Sequence, residues 1–118
     1  MGKIVSIDAM GGDHGLDVTI NGACLALNNQ KELSVILFGD ENLIRKKLKN
    51  QVYPIDRVEV IHCSKVVEMD TKPIDAIRRI GKDSSMWGCI NAVYQGRADV
   101  AISSGNTGAL MGLSTIIL

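Results

Sequence analysis

The sequence predicts an α/β fold in which a mostly parallel sheet carries helices on both faces. Short apolar runs alternate with segments of helical periodicity along all 118 residues, and the runs are too continuous for one side of each strand to face water. Two of the runs end in glycine-rich segments, as strands do where loops bind ligands at the carboxyl edge of a parallel sheet. No repeat, low-complexity tract or linker interrupts the sequence, so we predict one unit over residues 1–118 without an internal boundary.

The first half of the chain predicts two strand–helix pairs. A short apolar run precedes the first glycines, and from Leu16 onward the apolar spacing changes to four, three and four, as on one face of a helix. Gly39 and Asp40 end the second apolar run, and a short basic helix follows them. The predicted elements are a strand over 3–7, a helix over 16–28, a strand over 33–38 and a helix over 42–49.

The second half continues the alternation after Pro54, which breaks the chain. Pro73 suits the first turn of a helix, and Gly81 would end that helix. Residues 64–72 show no clear pattern. The predicted elements are a strand over 58–61, a helix over 73–80, a helix from Ser84 or Ser85 to Gly96, a strand over 98–102 and a helix from Thr107 onward.

Charge and cysteine content narrow the functional classes. Thirteen basic residues balance thirteen acidic ones, which argues against a dedicated nucleic-acid binder because such proteins carry a basic face. Cys24, Cys63 and Cys89 form no C-x-x-C pair, and we predict three core or half-buried thiols in a reducing cytosol. No apolar run approaches the roughly 18–20 residues that span a bilayer. We therefore expect a soluble, cytoplasmic protein.

The last nine residues are unusual for a surface terminus. Six of the residues 110–118 are Leu, Ile or Met, and no Gly, Asn or basic residue closes the helix that they predict. We expect from this pattern that the chain is the first part of a longer polypeptide.

The segment S103-S-G-N-T-G108 follows the last predicted strand and opens a helix. Free backbone N–H groups at a helix start, beside glycine backbone, bind phosphate or carboxylate. Ser103, Ser104 and Thr107 add hydroxyl groups, and Asn106 adds an amide. We predict an anion site here because capping alone does not need both glycines. The alternative is a turn in which Asn106 or Thr107 only starts the helix.

The segment I7-D-A-M-G-G-D-H-G15 follows the first predicted strand. It lacks the G-x-G-x-x-G spacing of a dinucleotide site, and the chain contains no G-x-x-x-x-G-K-[ST] phosphate loop. Asp8 and Asp13 can hold a cation, a ligand amine or neighbouring backbone N–H groups, or Asp13 can simply brace the turn. His14 has no paired acid or nucleophile in the sequence, which favours a surface or supporting role over catalysis.

A third polar stretch, R78-R-I-G-K-D-S-S-M86, lies immediately before a predicted helix. Its guanidinium, ammonium and hydroxyl groups suit the anionic oxygens of phosphate or of a phosphorylated carrier at a helix N-terminus. The alternative is one solvated face followed by an N-cap. Together with the two glycine-rich loops, the stretch predicts a single site for one anionic ligand.

These strings together resemble a known family. I7-D-A-M-G-G-D-H-G15, M69-D-x-K-P-x-x-A-I-R-R79 followed by K82-D-S-S-M86, and S103-S-G-N-T-G-A-L-M111 resemble, in order and along essentially the whole chain, the PlsX-type phosphate acyltransferases of bacterial phospholipid synthesis. Leu16 stands where the family often has proline, and Ser104 where it often has alanine. The resemblance implies a fold similar to that of phosphotransacetylases and isocitrate-dehydrogenase-like enzymes, with residues 1–118 as the N-terminal lobe of a longer acyltransferase.

The resemblance also implies a reaction and its partners. The family transfers a long-chain acyl group from acyl carrier protein to inorganic phosphate, giving acyl phosphate, as a homodimer that associates peripherally with the inner face of the membrane. The resemblance implies no metal, no nucleotide cofactor and no nucleic acid partner. Phosphate can itself be the nucleophile, so the chemistry needs an anion held near a thioester and a stabilised oxyanion rather than a Ser-His-Asp triad.

The site residues that we expect from the resemblance fall into three groups. Asn106 and Lys82 are the expected catalytic residues. The expected contacts to phosphate, to the oxyanion or to the phosphopantetheine of the carrier are Ser104, Gly105, Thr107, Gly108, Ser84 and Ser85. The expected facing wall of the cleft is Gly11, Gly12 and Asp13.

Two other functions stay open at this point. One is acyl transfer from coenzyme A, as in phosphotransacetylases, which differs in the acyl donor. The other is a non-catalytic anion-binding or assembly module that associates through the apolar 110–118 helix. Family members continue well beyond the equivalent of Leu118, so we expect little or no transferase activity from these 118 residues alone.

Overall fold

The sheet has four strands, all parallel, which confirms the predicted α/β class. A computed structural model describes residues 2–11 and 15–118. The strands are β1 (Lys3–Asp8), β2 (Leu33–Gly39), β3 (Val58–His62) and β4 (Val100–Ile102). They lie in the order β3-β2-β1-β4, so β1 is paired on both sides and β4 forms one edge.

The described residues also form five α-helices, two 3₁₀ turns and one π-helical stretch. The α-helices are α1 (Gly15–Asn29), α2 (Glu41–Leu48), α3 (Pro73–Asp75), α4 (Ser85–Tyr94) and α5 (Thr107–Ile117). The 3₁₀ turns lie at Ile55–Arg57 and Gly81–Asp83, and the π-helical stretch lies at Ala76–Ile80. Within the described part of the chain, every helix is too short or too polar to cross a membrane.

Two elements differ from their predictions. The fourth strand begins at Val100 rather than at residue 98, because the backbone N–H of Ala98 donates to the carbonyl of Ala92 and closes the end of α4 instead of joining the sheet. The predicted helix over 73–80 starts as α3 but widens into the π-helical stretch. It ends at Gly81, whose φ of +58° is a conformation that favours glycine.

Each face of the sheet has its own apolar core. On the front face, Val35 and Leu37 of β2 pack with α1 and α2. On the back face, Ile36 and Phe38 of the same strand pack with α4 and α5. Successive side chains of a strand point to opposite faces, so a continuous apolar strand must be covered twice. This arrangement confirms the prediction of helices on both faces.

The strand order places the two glycine-rich loops side by side. The chain leaves β1 toward β2 on one side, whereas β4 lies on the other side, so the direction of the crossovers reverses between β1 and β4. Ligands of open α/β sheets bind at the carboxyl ends of strands where this reversal occurs. The loop after β1 and the loop after β4 share that position.

Candidate functional site

The loops after β1 and β4 are in direct contact. The hydroxyl of Ser104 donates to the carbonyl oxygen of Gly11 over 3.2 Å. The two glycines of the contact approach closely: a Cβ on Gly11 would lie 3.1 Å from the Cα of Gly105 and 2.7 Å from Oδ2 of Asp8. A side chain at residue 11 would therefore push the loops apart, which gives one reason for glycine there.

Asp8, at the end of β1, is the buried centre of this contact. Only 2% of its surface is exposed. Its carboxylate accepts hydrogen bonds from the hydroxyl of Ser85 (2.5 Å), the hydroxyl of Ser103 (2.9 Å) and the backbone N–H of Met10 (3.2 Å). Of the partners that the sequence leaves open for Asp8, the structure shows a neighbouring backbone N–H, and it adds two serine hydroxyls. Asp8 thus joins β1, α4 and the end of β4.

Asn106 caps α5 and anchors its first turn. Its side-chain oxygen accepts from the backbone N–H of Ala109 over 3.1 Å. Its side-chain nitrogen faces the backbone carbonyls of Glu68 (3.1 Å), Met69 (3.2 Å) and Thr71 (2.5 Å). The amide is therefore occupied by the protein itself. In this structure Asn106 positions the start of the helix. The catalytic role that we expect for it remains a prediction.

The N-terminus of α5 is open to solvent. Ser104, Thr107 and Gly108 are exposed around the buried cap. The first N–H groups of an α-helix have no partner within the helix. Among residues 2–11 and 15–118, no acceptor is recorded for the backbone N–H of Thr107 or Gly108. Gly108 packs against Pro73, since a Cβ there would lie 2.8 Å from the proline Cγ. We call residues 106–108 the open helix start.

The N-terminus of α4 is closed. Ser84 and Ser85 both have 0% exposed surface. The hydroxyl of Ser84 accepts from the backbone N–H of Trp87 at 3.0 Å, which is the capping alternative predicted for this stretch. The hydroxyl of Ser85 donates to Asp8, and its backbone N–H donates to the carbonyl of Lys65 over 3.1 Å. Both hydroxyls expected to contact phosphate or the carrier therefore lie in the interior with protein partners. We call residues 84–86 the closed helix start.

Lys82 lies at a different cavity from the loops. Its ammonium group is 5.9 Å from the centroid of the Trp87 ring, a cation–π distance. Both side chains line a cavity of about 290 Å³ next to His62 and Cys63, and the described residues of that cavity include none from the 103–108 loop. The structure therefore does not bring Lys82 into the contact between the two loops.

Several residues singled out by the sequence lie outside the described residues. They are Gly12, Asp13 and His14, together with the side chain of Arg79. Arg78 is described and exposed. Within residues 2–11 and 15–118, no three His, Cys, Asp or Glu side chains are grouped so that they could hold a metal ion.

The three cysteines are free thiols, two of them buried, as predicted. Burial raises the pKa of Cys63 from 9.0 to about 11, and the carboxylates of Asp8 and Asp83 contribute to the rise. Burial, with a smaller contribution from Asp8, raises the pKa of Cys89 from 9.0 to about 12. Both thiols are therefore protonated at neutral pH, which makes them poor nucleophiles.

Comparison with known proteins places the chain in a family. A profile of the family described as "Fatty acid synthesis protein" matches residues 3–118. A protein named "Phosphate acyltransferase" from Polynucleobacter asymbioticus is 48% identical over 119 residues, covering 100% of this chain and 35% of that protein. Proteins of the same name from Azorhizobium caulinodans and Phenylobacterium zucineum are 47% and 45% identical, over 97% and 98% of this chain and 32% and 33% of their own lengths.

The chain thus spans about a third of the length of the curated relatives that it matches. The match includes both glycine-rich loops and both helix starts, because it runs from Lys3 to the last residue. Nearly the whole of this chain is accounted for by one family profile, and the relatives carry the name of an enzyme. The chain belongs to the fatty acid synthesis protein family that includes these phosphate acyltransferases.

Proposed function

We propose that this chain forms the phosphate-binding part of an enzyme that transfers a fatty acyl group from acyl carrier protein to inorganic phosphate. The name shared by the relatives supports the reaction. The observation that carries the assignment to this part of the enzyme is the open helix start. It presents N–H groups that have no acceptor among the described residues, at the edge where the ends of β1 and β4 meet. The resulting acyl phosphate would serve phospholipid synthesis.

Phosphate would bind at the open helix start through donors alone. Thr107 and Gly108 are exposed there and supply two backbone N–H groups and one hydroxyl. Ser104 is exposed beside them, and its hydroxyl donates to Gly11 in the absence of a ligand. The partial positive charge at the N-terminus of α5 adds to the attraction for an anion. Asn106 holds these donors in place by fixing the first turn to the 68–71 segment. The cap therefore contributes to phosphate binding without touching the ligand.

The reaction requires only that phosphate and a thioester are held together. An oxygen of hydrogen phosphate attacks the thioester carbonyl carbon, and a new C–O bond gives a tetrahedral oxyanion. The C–S bond then breaks, and the thiolate of the carrier leaves and takes the proton that phosphate loses. Backbone N–H groups near the attacked carbonyl stabilise the oxyanion. We assign Lys82, which lies at a separate cavity, to the anionic phosphopantetheine of the carrier rather than to the transferred phosphate.

For the whole enzyme, we propose a cytoplasmic homodimer that associates peripherally with the membrane. The family resemblance of the strings after β1 and β4 supports this proposal. No cofactor enters the proposed reaction, because phosphate supplies the nucleophile and the thioester supplies the leaving group.

The test uses a chimera in which this chain replaces the corresponding third of the Polynucleobacter asymbioticus relative. Palmitoyl carrier protein, or palmitoyl coenzyme A as the second donor, is supplied with and without phosphate. We expect release of free carrier thiol that depends on phosphate. Transfer from coenzyme A alone would favour the phosphotransacetylase-like alternative. Phosphate binding without turnover from either donor would contradict an enzymatic function of the chimera.

The open helix start is tested by Thr107→Pro in the chimera. Proline is tolerated at the first helical position, and Asn106 already has the extended backbone that precedes proline (φ −60°, ψ 115°). The substitution removes one N–H donor and one hydroxyl while α5 persists. A hydrogen bond to a charged group contributes about 1.5–3 kcal/mol, so we expect the KM for phosphate to rise by about 10- to 100-fold.

Two further variants separate the donors. Thr107→Ser keeps the N–H and the hydroxyl and should behave like the parent. Thr107→Val keeps the N–H alone and should give an intermediate KM for phosphate. An unchanged KM in Thr107→Pro, with normal folding by circular dichroism, would rule out the open helix start as the phosphate site.

A further inference from the structure

We propose that the acyl chain of the thioester substrate lies on an exposed apolar patch beside the open helix start. The patch is formed by Met69, Ile74 and Met111, and we call these three residues the apolar patch. The proposal rests on the proposed function, because it takes the thioester to react at the open helix start. It adds the part of this chain that would recognise the fatty acyl group.

The side chains of the apolar patch are open to solvent. Met69 is 45% exposed, Ile74 is 51% exposed and Met111 is 67% exposed. Single exposed apolar residues are normal on a protein surface, whereas a group of them is typical of a place where an apolar partner binds. The position of this group in the fold indicates which partner that is.

Two residues of the patch belong to segments that touch the first turn of α5. The backbone carbonyl of Met69 lies 3.2 Å from the side-chain nitrogen of Asn106. Ile74 follows Pro73, which packs on the helix: a Cβ on Gly108 would lie 2.8 Å from the Cγ of this proline. The 68–71 segment and α3 therefore both meet α5 at the open helix start.

Met111 lies on the exposed face of α5, one turn after Thr107. The opposite face carries Ala109, Leu113 and Ile117, which are buried in the core behind the sheet. Residues four positions apart share one face of a helix, and helical side chains lean toward the N-terminus. Met111 therefore leans toward the end of the helix where phosphate would bind.

The geometry of the proposed reaction makes the acyl chain the occupant of this patch. The acyl carbon forms a bond to an oxygen of phosphate, so the chain must leave from the place where phosphate is held. Burial of each methylene strengthens binding by up to about fourfold, so a long chain gains from apolar surface along its path. Methionine side chains are unbranched and flexible, which lets two of the three patch residues follow a flexible chain.

The first test measures binding without turnover. This chain is labelled with ¹³C at its methionine methyl groups, and S-decanoyl-N-acetylcysteamine, a soluble thioester, is added in phosphate buffer. We expect the methyl signals of Met69 and Met111, assigned through their leucine variants, to shift further than those of Met10 and Met86. Met86 is completely buried, and Met10 belongs to the loop after β1. The result does not depend on whether any acyl group is transferred.

The second test measures chain-length preference in the chimera. Met111→Gln keeps the length and the helix propensity of the side chain but makes it polar. We expect kcat/KM for hexadecanoyl carrier protein, relative to decanoyl carrier protein, to fall by roughly fivefold or more, with an unchanged KM for phosphate. Ile74→Thr should act in the same direction. Met111→Leu keeps the apolar volume and should retain the preference of the parent.

Two control variants change exposed apolar residues elsewhere. Leu25→Gln replaces a residue of α1 that is 65% exposed, close to the exposure of Met111. Ile102→Thr replaces a residue that lines an apolar cavity in front of the sheet. Both variants should keep the chain-length preference of the parent.

Three results would overturn the proposal. One is a thioester that shifts neither Met69 nor Met111 in the folded chain, whatever the activity of the chimera. Another is an active chimera whose chain-length preference is unchanged by both Met111→Gln and Ile74→Thr, or is changed by Ile102→Thr instead. That outcome would leave the transfer reaction intact and place the acyl chain elsewhere. The third is a Met111 signal that depends on protein concentration without thioester, because a second copy of the chain would then cover the patch.

Discussion

Two helices of this protein start after similar serine-containing segments, and their starts differ in access. At the closed helix start of α4, both serines are buried and the N–H of Ser85 is already bonded to Lys65. At the open helix start of α5, a buried cap is surrounded by the exposed Thr107 and Gly108. A helix N-terminus attracts anions in general, but only an accessible one can bind phosphate. In the function that we propose, accessibility of the first-turn donors would decide which of the two helices binds phosphate.

The same carboxylate supports both starts. Asp8 accepts from Ser85 in the first turn of α4 and from Ser103 at the end of β4, three residues before the cap of α5. A buried carboxylate is costly without partners and is stabilised here by three donors. Through Asp8, the first turn of α4 thus helps to hold the loop that precedes α5. Substitutions at the two helix starts should separate effects on stability from effects on ligand binding.

Replacing Asp8 should have the largest effect. Asp8→Ala leaves the buried hydroxyl of Ser85, the half-buried hydroxyl of Ser103 and one backbone N–H without their acceptor. A buried unsatisfied group costs about 1–3 kcal/mol. We expect the free energy of unfolding, measured by urea denaturation, to fall by about 3–4 kcal/mol. Asp17→Ala is the control, because Asp17 is an exposed partner of Lys47 and should change stability by less than about 0.5 kcal/mol. Similar losses in the two variants would contradict the support that we assign to Asp8.

Replacing the cap of the open start should come next. Asn106→Ala removes the acceptor for Ala109 and the donor that faces three carbonyls of the 68–71 segment. Loss of an N-cap costs about 1 kcal/mol, and the orphaned carbonyls add to it, so we expect about 2–3 kcal/mol in urea denaturation. Asn106→Ser keeps a capping oxygen and should recover about 1 kcal/mol of that loss. If Asn106→Ser is no more stable than Asn106→Ala, the capping hydrogen bond does not stabilise the first turn of α5.

Alkaline pH should lower the stability of the folded protein through Cys89, which lies in α4. Burial, helped by Asp8, raises the pKa of its thiol from 9.0 to about 12. Below pH 9 the thiol is protonated in both folded and unfolded chains. Above pH 9 the unfolded chain loses a proton that the folded chain retains, so the free energy of unfolding falls by up to about 1.4 kcal/mol per pH unit until the folded thiol also ionises.

Cys89→Ala isolates this contribution. The other titratable groups are present in both proteins, so their contribution cancels when the pH dependence of urea denaturation is compared between the parent and the variant. We expect the variant to lose stability less steeply above pH 9. If stability falls equally steeply with pH in the parent and in Cys89→Ala, burial does not keep the Cys89 thiol protonated in the folded protein.

The strands could be predicted closely because their signal is local. The first three are predicted over 3–7, 33–38 and 58–61, and each extends one residue further. The apolar runs identify them without reference to the rest of the chain. The fourth strand is shorter than predicted because the N–H of Ala98 closes α4, which depends on the carbonyl of Ala92 and not on the strand's own sequence.

The difference between the two helix starts could not be predicted from the sequence. Each has a capping residue beside basic or glycine residues, which is the local signature of an anion site. The start of α4 is closed by residues distant in the chain: the hydroxyl of Ser85 donates to Asp8, 77 positions away, and its backbone N–H donates to Lys65. What disfavours a side chain at the glycines after β4 is close packing, against Met86 and Ser103 for Gly105 and against Pro73 for Gly108. Such contacts arise from the strand order, which no local pattern specifies.

The smallest effects should come from the serine hydroxyls themselves, and they separate the two starts directly. Ser84→Ala removes the cap of the closed start and should lower the free energy of unfolding by about 1 kcal/mol, with no change in phosphate affinity. Ser104→Ala removes the hydroxyl that donates to Gly11 at the surface and should change stability by only about 0.5 kcal/mol. In the chimera it should weaken phosphate binding severalfold, as measured by the KM for phosphate. The reverse pattern, with phosphate affinity sensitive to Ser84 and not to Ser104, would show that the closed start opens to bind the ligand.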